Sequence, residues 1–216
     1  MIDKHMDREV YYENNNVLDM KDYRRMINSI QNTPENKLSK VSCIRKIYFN
    51  DEINYLEDDL DTSAVDKDVY SIVMIDFDTE HLMVERKSRR SGLISKDYAP
   101  ITLNECLKIF RGDVRWLKES IYPMLNNLYL EITINLRTIG VVVDYERQRF
   151  RVNHTNDYIE FDLSVKSIYG RRGDLLSDTL VMKERLDSKH VIMTYKQSAN
   201  IPPMFKSVLA LTPTAE

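Results

Sequence analysis

The stretch MVERKSRR at Met83–Arg90, followed by KDYAP at Lys96–Pro100, is the part of the sequence that decides the fold. Both segments predict β-strands, in which successive side chains point to opposite faces of a sheet. The alternation places Glu85, Lys87 and Arg89 on one face. Cations on a concave sheet face bind polyanions or buried carboxylates, whereas an edge strand carries charges that keep it soluble. The residue types alone leave both interpretations open.

Further segments occur in a fixed order along the chain and together resemble one known family. They are Ile47–Glu52, Met83–Arg90 with the Pro-Ile-Thr-Leu stretch at 100–103 and Phe110–Asp113 after it, Leu136–Arg137 with Tyr145–Phe150, Val191–Lys196 and Ile201–Phe205. In this order they resemble the central domain of the vacuolar transporter chaperone (VTC) family, which builds inorganic polyphosphate inside a β-tunnel. We therefore expect an α+β fold in which about eight antiparallel strands form a tunnel, or barrel, with helices packed outside it.

The resemblance also implies which side chains line the tunnel. Lys87, Lys96, Arg147 and Lys196 fall where the family has phosphate-binding cations, and Lys87 and Arg147 would also serve catalysis. Glu85 stands where the family has an acidic partner of a lysine. Phosphoryl transfer depends on positioning and on electrostatic stabilisation of the transferring group, so these charged residues are the candidates for function.

Several tunnel positions differ from the family pattern. Val73 and Ile75 stand where the family has an arginine pair. Tyr11 replaces a lysine, and Tyr158 stands where a further arginine is expected. The resemblance thus implies a tunnel with fewer cations than the family uses.

The position of Thr194 bears on the metal, because the family has a metal-binding glutamate there. The resemblance implies Mn²⁺ or Mg²⁺ as the cofactor, and a hydroxyl is a weak ligand for such a hard cation beside a carboxylate. Glu160 or Glu85 would have to take over as the protein ligand. The sequence leaves open which residues hold a metal.

These departures favour a catalytically weakened or accessory domain that binds polyphosphate or a nucleoside triphosphate beside other VTC-type subunits. An active ATP-dependent polyphosphate polymerase, using Lys46, Arg86 or Glu160 as substitutes, is the first alternative. A tunnel-fold triphosphatase is disfavoured, because neither Arg8–Tyr11 nor Met193–Lys196 supplies the paired glutamates that such enzymes use. The last alternative is a purely structural interaction module.

Composition bounds the other possibilities. A chain of 216 residues that is 43% hydrophobic predicts one domain over residues 1–216. A formal net charge of −3 argues against nucleic acid as a partner. Cys43 and Cys106 indicate reduced thiols, and no run approaches the roughly 18 apolar residues of a membrane span. We expect a cytoplasmic protein whose link to a vacuolar or other organelle membrane would come through partners.

The hydrophobic periodicity predicts the elements around the tunnel motif. A strand is expected at Arg8–Glu13, a turn at Asn14–Asn16 and a helix at Asp19–Gln31. A longer helix is expected from Asp113 to about Leu130, with a kink at Pro123.

Three further segments complete the expected elements. Helices are predicted from Asn50 toward Leu60 and at Pro203–Leu209, and Thr179–Leu186 reads as a strand. From Arg137 onward the predicted elements are mainly strands, as a closed antiparallel barrel requires.

Overall fold

The computed structural model describes residues 10–31, 37–49, 66–151, 158–169 and 174–196. In chain order the elements are β1 (Val10–Tyr11), β2 (Glu13–Asp19), α1 (Met20–Gln31), β3 (Lys37–Leu38), β4 (Ser42–Tyr48), β5 (Lys67–Ile75), β6 (Leu82–Arg90), β7 (Leu93–Ile101), α2 (Leu103–Phe110), a 3-10 helix (Arg115–Glu119), α3 (Pro123–Thr133), β8 (Val141–Arg151), β9 (Tyr158–Tyr169), β10 (Lys183–Glu184) and β11 (His190–Lys196).

The strands of these residues form one antiparallel sheet in the order β1-β7-β6-β5-β4-β8-β9-β11-β2. The short strands β3 and β10 pair with β8 and β9 beside this path. Only Tyr12 separates β1 from β2, yet β1 pairs with β7 and β2 pairs with β11 at the opposite end of the strand order. The chain therefore joins the two ends of the sheet and nearly closes it into a barrel of nine strands. The expected α+β tunnel fold is confirmed.

The helices pack on the outer face of the barrel. The largest buried cluster joins β5, β6 and β7 to α2, the 3-10 helix and α3, with Ile72, Val84 and Leu117 among its fully buried members. A second cluster joins α1, through Met26 and Ile30, to β2, β9 and β11. Because neighbouring residues of a strand alternate between faces, the residues between these outward-pointing ones face the interior.

The start of α2 follows directly from the sequence. The Thr102 hydroxyl accepts the backbone N–H of Glu105 at 3.2 Å, and the Glu105 carboxylate accepts the backbone N–H of Thr102 at 2.7 Å. This capping box satisfies two backbone donors that a helix end leaves unpaired. It aligns the apolar side of α2 with the sheet, where Cys106 and Ile109 are buried.

The long helix expected from Asp113 to Leu130 is wrong. The structure has the 3-10 helix Arg115–Glu119 and a separate α3 that begins at Pro123. Proline fits the first position of a helix because its missing N–H is not needed there and its φ angle is already helical. Pro123 thus starts a helix, and it does not kink one.

The turn expected at Asn14–Asn16 is also wrong, because all three asparagines lie inside β2. They pair with Met193, Thr194 and Tyr195 of β11 in an uninterrupted antiparallel register. Backbone pairing on a half-covered sheet outweighs the turn preference of asparagine. The helix follows at Met20, and the Asp19 carboxylate accepts the N–H of Lys21 at 2.9 Å.

The strand expected at Thr179–Leu186 is reduced to the two residues of β10, which pair with Ser167 and Lys166. The expected helices at 50–60 and 203–209 lie outside the described residues, as do Arg8 and Glu9 of the expected first strand and the resemblance segment Ile201–Phe205. None of the helices described here combines the length and the apolar character that crossing a membrane requires.

Candidate functional site

The interior face of the barrel, called the lumen face below, brings the four predicted cations together. Residues directly opposite each other in a strand pair share a face, and Lys87 is opposite Lys96. Lys196 is opposite Glu13. Arg147 is opposite Asp162. The charged side chains at the centre of the lumen face are Lys46, Lys87, Lys96, Arg147, Lys196, Glu13, Glu85, Glu160 and Asp162.

A pair of lysines holds one carboxylate. Lys87 Nζ donates to Glu13 Oε1 at 2.7 Å, and Lys96 Nζ donates to Glu13 Oε2 at 2.9 Å. Burial alone would raise the pKa of Glu13, but Lys96 and Lys87 outweigh it and hold that pKa far below its usual range. Lys96 remains charged for the converse reason: burial lowers its pKa, and Glu13 with other interior groups raises it well above the ordinary value.

Glu13 is a lumen residue that the sequence does not reveal, because the pattern predicts it as the last residue of a strand before a turn. In the structure it opens β2 and lies in register with Lys196. The available signal was its spacing: Glu13 is two residues from Tyr11, a position already assigned to the tunnel, and the two share a face if the strand continues.

The partner of Glu85 is Lys46, whose Nζ donates to Glu85 Oε1 at 2.5 Å. The predicted cation Lys87 lies on the same strand face but turns to Glu13 instead. Burial raises the pKa of Glu85, yet Lys46 and Lys96 lower it to about 2, so the carboxylate is charged at neutral pH. Lys46 thus belongs to the lumen, as the polymerase alternative required.

Arg147 is held by two carboxylates from β9. Its Nε and Nη2 donate to the two oxygens of Asp162, both at 2.6 Å, and its Nη1 lies 2.6 Å from Glu160 Oε2. The guanidinium also stacks over the Tyr145 ring, with Cζ 4.9 Å from the centroid. Glu160, predicted as a supporting residue, is therefore next to Arg147 and also pairs with Arg149 at 2.6 Å.

A β-bulge separates Asp162 from Val165, the next lumen-facing residue of β9. The register between β8 and β9 shifts so that Ser164 and Val165 together oppose the single residue Tyr145. Residues 160 and 162 face the interior on one side of the bulge, whereas Val165 does so on the other side, where it packs with the buried Ile192. Simple alternation along β9 places Glu160 and Asp162 inside but would put Val165 outside, so the bulge decides only the residues that follow it.

The end of β11 adds Lys196 and Thr194 to the lumen face. Lys196 Nζ lies 5.0 Å from the centroid of the Tyr11 ring, close enough for a cation–π contact. Thr194, at the place of the expected metal ligand, donates its hydroxyl to Asn15 Oδ1 at 2.7 Å. This hydroxyl is therefore oriented by an amide within the barrel.

Part of the lumen is apolar. A buried cluster on the same face contains the branched aliphatic side chains of β4, β5, β8, β9 and β11, together with two tyrosines. Its members are Ile44, Tyr48, Val73, Val141, Val143, Tyr145, Val165 and Ile192. The lumen face is thus divided into an apolar part and an ion-paired part, and Val73 belongs to the apolar part.

The lumen carboxylates do not form a site for a divalent metal as they stand. Glu13 and Glu85 are bound by lysines, and Glu160 and Asp162 are bound by Arg147. Across the ranges that the structure describes, no three His, Cys, Asp or Glu side chains come together as metal ligands. Mn²⁺ or Mg²⁺, which takes about six oxygen ligands, would have to displace lysine or arginine to bind here.

Arg86, considered from the sequence as a substitute cation, lies away from the centre of the lumen, and so does Arg149. Arg86 points to the outer face and pairs with Asp97 through Nε at 3.0 Å and Nη2 at 2.5 Å. It cannot substitute for a tunnel cation. Arg149 is 48% exposed and lies 5.9 Å from the centroid of the Tyr158 ring, toward the end of β8.

Comparisons with known proteins show the fold. No protein-family model matches the chain, and no curated protein matches it either. The crystal structure of a putative adenylate cyclase from Bacillus halodurans superposes with a TM-score of 0.54 at 11% identity, covering 98% of this chain and 96% of the other. The structure of the PH1819 protein from Pyrococcus horikoshii gives a TM-score of 0.40 at 11% identity, covering 93% and 86%. The first likeness supports the barrel architecture described above.

Proposed function

We propose that the ion-paired part of the lumen binds a triphosphate or the end of a polyphosphate chain, and that the chain is an accessory or catalytically weakened member of a polyphosphate-synthesising system. The observation that supports this most is the convergence of five cations, Lys46, Lys87, Lys96, Arg147 and Lys196, on one interior face. Ammonium and guanidinium groups are the donors that phosphate oxygens prefer. The name of the Bacillus halodurans structure is compatible with a nucleoside triphosphate as the ligand.

Weak catalysis is proposed because the groups that would stabilise a transferring phosphoryl group are few. Val73 and Thr194 occupy places where the resemblance implies an arginine and a metal ligand, and Val73 is buried in the apolar cluster. Each lost charge-assisted contact costs orders of magnitude in rate in this class of reaction. Incubation of the purified chain with ATP and Mn²⁺ is expected to give no polyphosphate, and robust synthesis would overturn this part of the proposal.

A purely structural module is the second candidate, and the ion pairing favours it. Glu13, Glu85, Glu160 and Asp162 already neutralise most of the lumen charge. Buried ion pairs of this kind can fix the arrangement of a barrel without binding any ligand. This reading predicts no measurable affinity for polyphosphate or triphosphate.

Isothermal titration calorimetry distinguishes a phosphate-binding lumen from a purely structural module. The ligands are sodium tripolyphosphate and, separately, long-chain polyphosphate. The proposal expects binding that weakens about tenfold or more in Lys87→Ala and in Arg147→Ala, because each substitution removes a charge-assisted contact. Arg86→Ala is the matched control, since Arg86 is the neighbour of Lys87 in β6 but pairs with Asp97 on the outer face. Binding that is equal in all four proteins would remove the lumen from consideration.

The affinity should also fall as salt is added, because a polyanion bound by several cations releases counterions. Titrations at three NaCl concentrations measure this dependence in the wild-type chain. An affinity of the wild-type chain for tripolyphosphate that does not change with the NaCl concentration would contradict an ionic site.

Association with other VTC-type subunits is part of the same proposal and is tested by co-purification with such subunits.

A further inference from the structure

The contact of Glu13 with Lys87 and Lys96 can regulate how tightly the proposed site binds its ligand. We propose that the Glu13 carboxylate is an internal anion that occupies the site formed by Lys87 and Lys96, and that a phosphate must displace it to bind there. This inference rests on the proposed function, because it concerns the same lumen and the same class of ligand. It identifies Glu13 as a residue that sets the affinity.

The geometry of the three groups supports an occupied anion site. Lys87 and Lys96 are directly opposite each other on neighbouring strands, an arrangement that is unfavourable for two like charges unless an anion lies between them. Glu13 supplies that anion, with one carboxylate oxygen at 2.7 Å from Lys87 Nζ and the other at 2.9 Å from Lys96 Nζ. Two oxygens on one central atom, each accepting from a separate ammonium, is also how a phosphoryl group would be bound.

The surroundings of Glu13 show why it competes with a ligand. Its side chain is 6% exposed, so the carboxylate is buried between the lysine donors and makes little contact with water. The backbone of β2 is held in register with β11, which leaves rotation of the Glu13 side chain as the simplest way to free the lysines. A second anion arriving at Lys87 and Lys96 with Glu13 in place would meet a like charge at close range, which disfavours binding.

Four charged or titratable groups of the described residues face Glu13. Lys87 approaches from β6 and Lys96 from β7, Lys196 is its partner in register on β11, and Tyr11 precedes it in β1. Once the lysines transfer to a phosphate, Glu13 loses its strongest partners and gains an anionic neighbour. The pKa of its carboxyl group, which the lysines hold low in the resting protein, should then rise.

The decisive variant is Glu13→Gln, which keeps the size of the side chain and removes its charge. Calorimetry with sodium tripolyphosphate is expected to show binding about tenfold tighter than wild type, because the competing charge is gone. Asp97→Asn is the matched control: Asp97 is next to Lys96 in β7 and also binds a cation, Arg86, but on the outer face. The control should bind as wild type does.

The outcomes separate the two proposals. If wild type binds and Glu13→Gln binds equally or more weakly, Glu13 is not a competitor and only this inference is overturned. If neither protein binds, the proposed function fails as well. If only Glu13→Gln binds, the inference holds in its strongest form, with Glu13 closing the site completely.

A second measurement uses the unaltered chain and does not depend on the folding of a variant. Carbon-13 NMR of the glutamate carboxyl groups at near-neutral pH, with and without tripolyphosphate, follows the surroundings of the Glu13 carboxylate directly. We expect the Glu13 carboxyl signal to shift once the ligand is bound, because Lys87 and Lys96 then leave it. A Glu13 signal that keeps the same chemical shift in both samples would show that its lysines are not released, and would refute the competition.

Discussion

Arg45 shows how a charged residue can be built into the outer wall of the barrel. It is 1% exposed and makes a two-pronged contact to Asp144, with Nε and Nη2 both 2.7 Å from carboxylate oxygens. Its Nη1 also donates to the backbone carbonyls of Leu175 and Ser177, and its Cζ lies 4.9 Å from the centroid of the Phe77 ring. One side chain thus attaches the segment before β10 to β4 and β8.

Replacing Arg45 by alanine should be among the most destabilising changes in the chain. Asp144 would lose its guanidinium partner and two carbonyls would lose donors, so we expect a loss of about 3–5 kcal/mol in the free energy of unfolding. Urea denaturation followed by circular dichroism measures it. Arg25→Ala is the control, because Arg25 pairs with Asp22 at a largely exposed site and should cost about 0–1 kcal/mol. Equal losses would contradict the role given to Arg45.

At the scale of elements, the bulge in β9 places a non-glycine residue in the left-handed region. Ser164 has a φ of 53° and is exposed. Side chains with a Cβ atom are disfavoured in this conformation, and glycine is not. Ser164→Gly should therefore raise the free energy of unfolding by about 0.5–1 kcal/mol.

Lys166→Gly is the control for that substitution. Lys166 is an exposed residue two positions further along β9, in register with Asp144, and has no positive φ. Glycine there should lower stability by about 0.5–1 kcal/mol, because it adds conformational freedom to the unfolded chain and relieves no strain in the folded one. Thermal unfolding of both variants gives the two signs, and two losses would show that the bulge carries no strain.

The capping box of α2 gives a second prediction for an element. Thr102→Ala removes the hydroxyl that accepts the N–H of Glu105, and it should cost about 1 kcal/mol of stability. Thr133→Ala is a suitable comparison, because the Thr133 hydroxyl donates to the carbonyl of Tyr129 at the end of α3 and caps nothing. If both variants unfold at the same urea concentration, the cap contributes less than the hydrogen bonds suggest.

At the scale of the whole molecule, the lumen carboxylates make the barrel sensitive to acid. The pKa values of Glu13, Glu85 and Glu160 are all lowered in the folded chain: burial opposes each shift and the interior cations outweigh it. A carboxyl group with a depressed folded pKa contributes stability above its unfolded pKa of 4.5, and this contribution is lost as the pH falls toward the folded value, about 2 for Glu85.

Stability should accordingly be level from pH 7 to pH 5 and fall steeply from pH 4.5 toward pH 2. The Glu85 contribution alone amounts to at most about 3 kcal/mol, from the size of its pKa shift. Urea denaturation at closely spaced pH values measures the loss. Glu85→Gln should be less stable than wild type at pH 7 and show a shallower decline. A wild-type curve that is flat down to pH 3 would contradict the network.

Much of the barrel was predictable because its physical causes are local. The alternation in Met83–Arg90 correctly separated Lys87 from Arg86, since the two faces of a strand follow from backbone geometry alone. The same alternation is seen in β11, where Thr194 and Lys196 face the interior and Met193 is buried under α1. The kink expected at Pro123 was wrong, because proline begins a separate helix there.

The sequence by itself determined the two faces of β6, the cap at Thr102 and the cations of the ion-paired part of the lumen. Tertiary structure alone decided which charges meet: Lys46 pairs with Glu85, Glu13 pairs with Lys87 and Lys96, and Asp162 pairs with Arg147. These partners come from strands distant in sequence, so their distances depend on register and on barrel closure. No local pattern encodes either quantity, because pairing energies are summed over the whole sheet.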